Sequence, residues 1–139
     1  MASPLFLDTS YVIALKSPRD RHHPAALQWE RRIRADSLQV VTTQAVQLEI
    51  GAAFSRLAYR NVAAAILEAL DRDPSITVVP LDDDIYQRAL DLFVSRMDKE
   101  WSLTDCVSFV VMRDRAITQA LSADAHFAQA GFDALLQSA

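Results

Sequence analysis

Short apolar runs alternate with helical segments from one end of this chain to the other, and that alternation restricts the fold more than any single residue does. Leu5–Asp8 reads as a buried strand and Tyr11–Lys16 as a brief helix after it. Past a polar turn at Pro18–His23, the segment Pro24–Ala35 places Ala25, Trp29 and Ile33 at helical spacing. Leu38–Thr42 is strand-like, and Thr42 or Thr43 caps a helix that runs through Phe54. Asn61–Leu70 is an alanine-rich helix, and Ile76–Val79 is a strand closed by Pro80. Asp82–Asp84 opens a helix over Ile85–Arg96, where acidic residues complement the helix dipole. Ser102 starts another helix that reaches about Asp114, and Ile117–Leu121 is a strand. Asp124–Ala130 forms a short helix with Gly131 as its C′ residue, and Phe132–Leu136 is a final edge strand. This order predicts an α/β fold, a parallel sheet with helices on both faces, whose ligands bind at the carboxyl ends of the strands.

Four acidic residues stand out against that frame. Asp8 ends the run Leu5–Leu7, Glu49 lies inside the apolar helix Ala45–Phe54, Asp105 precedes the run Cys106–Met112, and Asp124 follows Ile117–Leu121. Acidic side chains are rarely buried unless paired or bound to a cation. Each aspartate has a simpler role open to it as a helix cap: Asp8 before Thr9 and Ser10, Asp105 in a Ser102-x-x-Asp105 capping box, Asp124 at the start of its helix. Glu49 resists that reading, because Leu48, Ile50, Ala52, Ala53 and Phe54 surround it and no lysine or arginine lies three or four residues away. The parallel topology sends Asp8 and Asp124 to one sheet edge, with Glu49 and Asp105 expected from the N-terminal regions of facing helices. Such a cluster suits Mg²⁺ or Mn²⁺, which prefer oxygen ligands and serve in-line displacement at phosphorus.

Composition narrows the remaining classes. With 139 residues, 51% of them hydrophobic, the chain is expected to form one domain over 1–139 with a sizeable core. Cys106 stands alone, which precludes an internal disulfide and a thiolate zinc cage and fits the cytoplasm. Two glycines cannot build a glycine-rich phosphate loop. No apolar stretch nears the roughly 20 residues of a membrane span, and Met1–Asp8 lacks the features of a secretory signal. The formal net charge of −4 argues against simple polyanion attraction, and Arg31, Arg32, Arg34, Arg56 and Arg60 read as solvated helix faces.

The acids and their neighbours resemble the pattern of PIN-domain ribonucleases, and look most like the VapC-type toxins of bacterial toxin–antitoxin pairs. The resemblance rests on Phe6-Leu7-Asp8-Thr9-Ser10, Leu48-Glu49-Ile50, Ser102-Leu103-Thr104-Asp105-Cys106, and Ala123-Asp124-x-x-Phe127 with Gly131. Each motif is short, and their order and spacing carry the likeness. It implies a three-layer α/β/α sheet in strand order 3-2-1-4-5 and Mg²⁺- or Mn²⁺-dependent cleavage of RNA. It implies Asp8, Glu49 and Asp105 as the core acidic triad with Asp124 as the fourth acid, and Thr9 and Thr104 as supporting hydroxyls. A homodimer and a cognate antitoxin follow from the same likeness. The alternatives are a housekeeping PIN nuclease and a non-catalytic interaction protein whose acids are only helix caps. A dehalogenase-type phosphatase would want a second aspartate where Ser10 stands, and a receiver domain would want paired acids after its first strand.

Overall fold

The computed structural model describes residues 3–137; Met1, Ala2, Ser138 and Ala139, the ends of the domain expected over 1–139 and part of the segment read as lacking a secretory signal, lie outside the described residues. Five strands form one sheet: β1 (Leu5–Leu7), β2 (Val40–Thr43), β3 (Ile76–Val79), β4 (Gln119–Leu121) and β5 (Asp133–Ala134). The order is β3-β2-β1-β4-β5 and every pairing is parallel, as the resemblance implied. Phe6 is the pivot, paired with Val41 on one side and Ala120 on the other. The chain first winds outward from β1 to β2 and β3, then returns to lay β4 on the opposite side of β1. The crevice between β1 and β4 is therefore the point where strand order reverses, the usual ligand position in such sheets.

Seven helices flank the sheet: α1 (Thr9–Lys16), α2 (His23–Asp36), α3 (Gln44–Ala53), α4 (Arg60–Arg72), α5 (Asp83–Ser95), α6 (Leu103–Asp114) and α7 (Ala125–Gln129). β1 and β2 are buried throughout, as strands covered on both faces must be. Most of α6 is buried too, from Asp105 to Met112. No helix among the described residues is long and apolar enough to cross a membrane.

Three strands start later than the sequence suggests, and one cause explains all three. The N–H of Leu38 donates to Ile33 O at 3.0 Å, that of Ile117 to Met112 O at 2.9 Å, and that of Phe132 to Phe127 O at 3.0 Å. Each is the six-to-one bond that closes a helix C-terminus, with Ser37 (φ 51°), Ala116 (φ 54°) and Gly131 (φ 95°) in the left-handed region. The apolar residue read as the first of a strand is instead the last tie of the preceding helix. A second difference concerns Glu49. It is the sixth residue of α3, which Thr43 caps through Val46 N at 3.1 Å, so it comes from the middle of its helix and not from the N-terminal region.

A run of aromatic rings braces the elements that carry the acids. Trp101 meets Phe109 edge-on at 5.1 Å, Phe109 meets Phe127 edge-on at 5.1 Å, and Phe127 reaches Phe6 at 6.2 Å. Edge-to-face pairs of this kind add about 0.5–1.5 kcal/mol each beyond area burial. Phe6 precedes Asp8 by two residues, Phe109 follows Asp105 by one helical turn, and Phe127 follows Asp124 by three residues. The chain thus folds so that α6, α7 and β1 share one rigid floor beneath the carboxylates.

Candidate active site

Asp8, Glu49, Asp105 and Asp124 line one cleft of about 370 Å³ at the carboxyl end of the sheet, together with Thr9, Ser10, Ser102 and His126. Glu100 is a fifth acid on the same wall, and no lysine or arginine lines it. A larger hollow of about 590 Å³ lies elsewhere, between α1, α2 and α4, and its walls are mostly apolar. Size alone would have chosen that hollow; chemistry selects the smaller one.

Each aspartate reaches the cleft by capping a helix. Asp8 is the N-cap of α1, and its Oδ2 accepts from Ser10 N at 3.3 Å, Ser10 Oγ at 2.6 Å and Ser122 Oγ at 2.9 Å. Asp105 completes a capping box: Ser102 N donates to Asp105 Oδ2 at 3.0 Å and Asp105 N donates to Ser102 Oγ at 3.0 Å. Asp124 caps α7, its Oδ1 accepting from His126 N at 2.9 Å. The cap readings are therefore correct, and they leave half of each carboxylate over. Among the described residues Asp8 Oδ1, Asp105 Oδ1 and Asp124 Oδ2 make no hydrogen bond to protein. Glu49 behaves alike: its Oε1 accepts from Thr9 Oγ1, and its Oε2 has no protein donor.

Two serines knit the site together. Ser122 Oγ donates to Asp8 and accepts from Asp124 N at 3.0 Å, while Ser10 Oγ donates to Asp8 and accepts from Ala123 N at 2.9 Å. The loop after β4 is thereby fastened to the end of β1. The resemblance implies a hydroxyl beside Asp8 or Asp105, and the Thr9 hydroxyl instead donates to Glu49 Oε1. Thr104 lines an adjoining hollow together with Glu49, Leu81 and Tyr86, and among the described residues its hydroxyl makes no hydrogen bond to a carboxylate. The hydroxyls that hold Asp8 are those of Ser10 and Ser122, and Ser122 and His126 are residues that sequence reasoning missed as part of the site. Their signal was weak, because both act through contacts to residues more than 20 positions away, such as Ser122 to Asp8 and His126 to Asp105.

Negative charge at the site is concentrated, and no lysine or arginine lines the cleft. Asp8 is buried, with 4% of its surface exposed. Burial first, and then the negative charges of Asp105 and Glu49, push its carboxyl up to about 6, against the pull of the Ser10 and Ser122 hydrogen bonds. The unused carboxylate oxygens match the ligand chemistry of a hard divalent cation. Among the described residues, ligand atoms of Asp105, Asp124 and His126 all lie within 4.8 Å of one another. Asp8 and Glu49 sit on the same cleft outside that group.

Comparison with known proteins identifies the family and the fold. A family model described as the PIN domain matches residues 5–133. The 23S rRNA-specific endonuclease VapC20 of Mycobacterium tuberculosis is 31% identical over 130 residues, which are 92% of this chain and 95% of that protein. The crystal structure of VapC20, described as a sarcin-ricin loop cleaving toxin, has a TM-score of 0.81 to this chain at 28% identity, covering 94% of this chain and 97% of the other. FitAcB from Neisseria gonorrhoeae gives a TM-score of 0.60 at 18% identity, over 93% of this chain and 94% of that one, a likeness of fold alone.

Proposed function

This chain belongs to the PIN-domain family, and on that premise we propose that it is a divalent-cation-dependent endoribonuclease acting as the toxin of a toxin–antitoxin pair. The observation that carries the reading is the half-used carboxylate. Three aspartates from three different elements each bind the protein through one oxygen and leave the other for a ligand.

Asp8, Asp105 and Asp124 would hold Mg²⁺ or Mn²⁺, with Glu49 completing the charge of the cleft. A cation bound there supplies Lewis-acid polarisation of the phosphoryl group and a water of lowered pKa. The chain's own residues do the rest. Ser10 and Ser122 fix the Asp8 carboxylate, Ser102 fixes Asp105, and Thr9 fixes one oxygen of Glu49 so that Oε2 is the atom able to orient or deprotonate the attacking water. Attack at phosphorus forms the new P–O bond as the P–O3′ bond breaks, leaving a 5′-phosphate and a 3′-hydroxyl. With no arginine or lysine on the cleft wall, affinity for the RNA backbone must come from outside it or through the cation.

A structured ribosomal RNA loop is the first substrate to test, by analogy with the M. tuberculosis relative. We further place the protein in the cytoplasm as a homodimer silenced by an antitoxin, with residues 1–139 forming a single nuclease domain. Leu48 on α3, 71% exposed, and Leu57 in the connection between α3 and α4, 92% exposed, support this region as the surface for self-association. The test is cleavage of 23S rRNA and of a short stem-loop by the purified chain in Mg²⁺, Mn²⁺ or chelator. Cleavage that requires the cation and disappears in Asp105→Asn supports the reading, and cleavage that persists in chelator overturns it.

A further inference from the structure

His126 makes contacts that neither capping nor substrate chemistry accounts for. Its Nδ1 lies 2.9 Å from Asp105 Oδ2 and 3.2 Å from Asp124 Oδ1. A ring nitrogen facing two carboxylate oxygens carries the proton, since a lone pair there would meet two others. The imidazole therefore donates to both aspartates at once. The oxygens it chooses are informative. Asp105 Oδ2 already accepts from Ser102 N, and Asp124 Oδ1 already accepts from the backbone of His126 itself. The imidazole adds to the oxygens already committed to the protein and leaves Asp105 Oδ1 and Asp124 Oδ2 untouched.

We propose that His126 is a positioning residue of the cation site, one that clamps Asp105 to Asp124 and preserves the outward oxygen of each for the ligand. The proposal rests on the nuclease reading above. Its physical basis is that α7 has only five residues and Asp124 caps it, and among the described residues His126 is the side chain that links this carboxylate by hydrogen bonds to Asp105 of α6. Two like charges this close repel, and an N–H donor between them offsets the repulsion in the protein without a cation. Because the bonded nitrogen carries a proton, the clamp acts through hydrogen bonds and not by ligation. Partners of this kind, which orient metal-binding groups, change cation affinity by about 10–100-fold when removed.

The test uses the full chain and Mn²⁺ alone, with binding followed by electron paramagnetic resonance. His126→Ala is expected to weaken Mn²⁺ binding about 10–100-fold. His126→Asn, whose amide nitrogen falls near the place of Nδ1, is expected to restore binding to within a few-fold. Spin-echo spectra of the Mn²⁺-loaded unsubstituted protein are expected to lack nitrogen coupling from a ligated imidazole. Unchanged affinity in His126→Ala, failure of His126→Asn to restore it, or a clear nitrogen coupling would each overturn the clamp. If the unsubstituted protein binds no Mn²⁺, the nuclease reading itself falls, an outcome separate from the other three.

Discussion

The two ends of α6 both gather carboxylates and treat them in opposite ways. At its C-terminus Asp114 takes a bidentate fork from Arg88, with contacts of 2.8 and 2.7 Å, and the same guanidinium reaches Asp84 at 2.8 Å. That pair ties α5 to α6 on the surface and holds Asp114 below the usual carboxylate range, chiefly through the Arg88 hydrogen bonds. It also relieves an aspartate placed at the wrong end of a helix dipole. At the N-terminus Asp105 shares a cleft with Asp8, Glu49 and Asp124, and no guanidinium or ammonium lines it. There Asp8 moves the other way, up to about 6. What differs between the two ends is that a guanidinium bridges one group of acids and no lysine or arginine lines the other.

The contrast breaks most readily at catalysis. Asp105→Asn and Asp8→Asn keep the shape of each cap but lose the anionic oxygen, so RNA cleavage should fall by about 10³-fold or more. Asp114→Asn, at the other end of the same helix, should leave the cleavage rate unchanged. Equal losses at both ends, read in one single-turnover assay, would erase the distinction.

Stability without cation sharpens it next. The native Asp8 carboxyl binds its proton more tightly than in the unfolded chain, where the ordinary value is 3.8. Its contribution is therefore full below about pH 4, declines as pH rises through 6, and stays lost above that. The two-unit difference corresponds to roughly 3 kcal/mol. Asp8→Asn should remove this dependence. In chelator near neutral pH the variant should accordingly be more stable than the unsubstituted protein, by up to about 3 kcal/mol, as measured by urea denaturation. A destabilised Asp8→Asn under those conditions would mean that the carboxylate is already compensated by the fold.

A cation should reverse that order. Mn²⁺ at about 100 times its dissociation constant adds about 2.7 kcal/mol to a protein that binds it only when folded. The gain should appear in thermal melts of the unsubstituted chain and vanish in Asp8→Asn and Asp105→Asn. The smallest effect belongs to Arg88→Ala, whose partners are solvent-exposed and screened. It should lower the melting temperature slightly and leave Mn²⁺ affinity and the pH profile as they were.

Much of this was legible in the sequence, because the alternation of strands and helices is a local pattern and the four acids interrupt it. Ile76–Val79 was read residue for residue, and strand order followed from the resemblance. What was not legible depends on long-range closure. Leu38, Ile117 and Phe132 look like strand residues, yet their N–H groups finish helices. Ser122 and His126 carry no pattern of their own: Ser122 acquires its role when β4 is laid beside β1, and His126 when α7 meets α6. The choice between cap and ligand was posed as exclusive. A carboxylate has two oxygens, and Asp8, Asp105 and Asp124 use one for each purpose.

The aromatic floor from Trp101 through Phe109 and Phe127 to Phe6 has a bearing on how such a protein can change over time. Since Asp8, Asp105 and Asp124 stand on elements braced by rings packed behind them, exposed positions on α2, α4 and α5 can change without disturbing that packing. Under the proposed nuclease reading, a rim that varies over a fixed floor gives such a lineage room to meet new RNAs while the four acids keep their places.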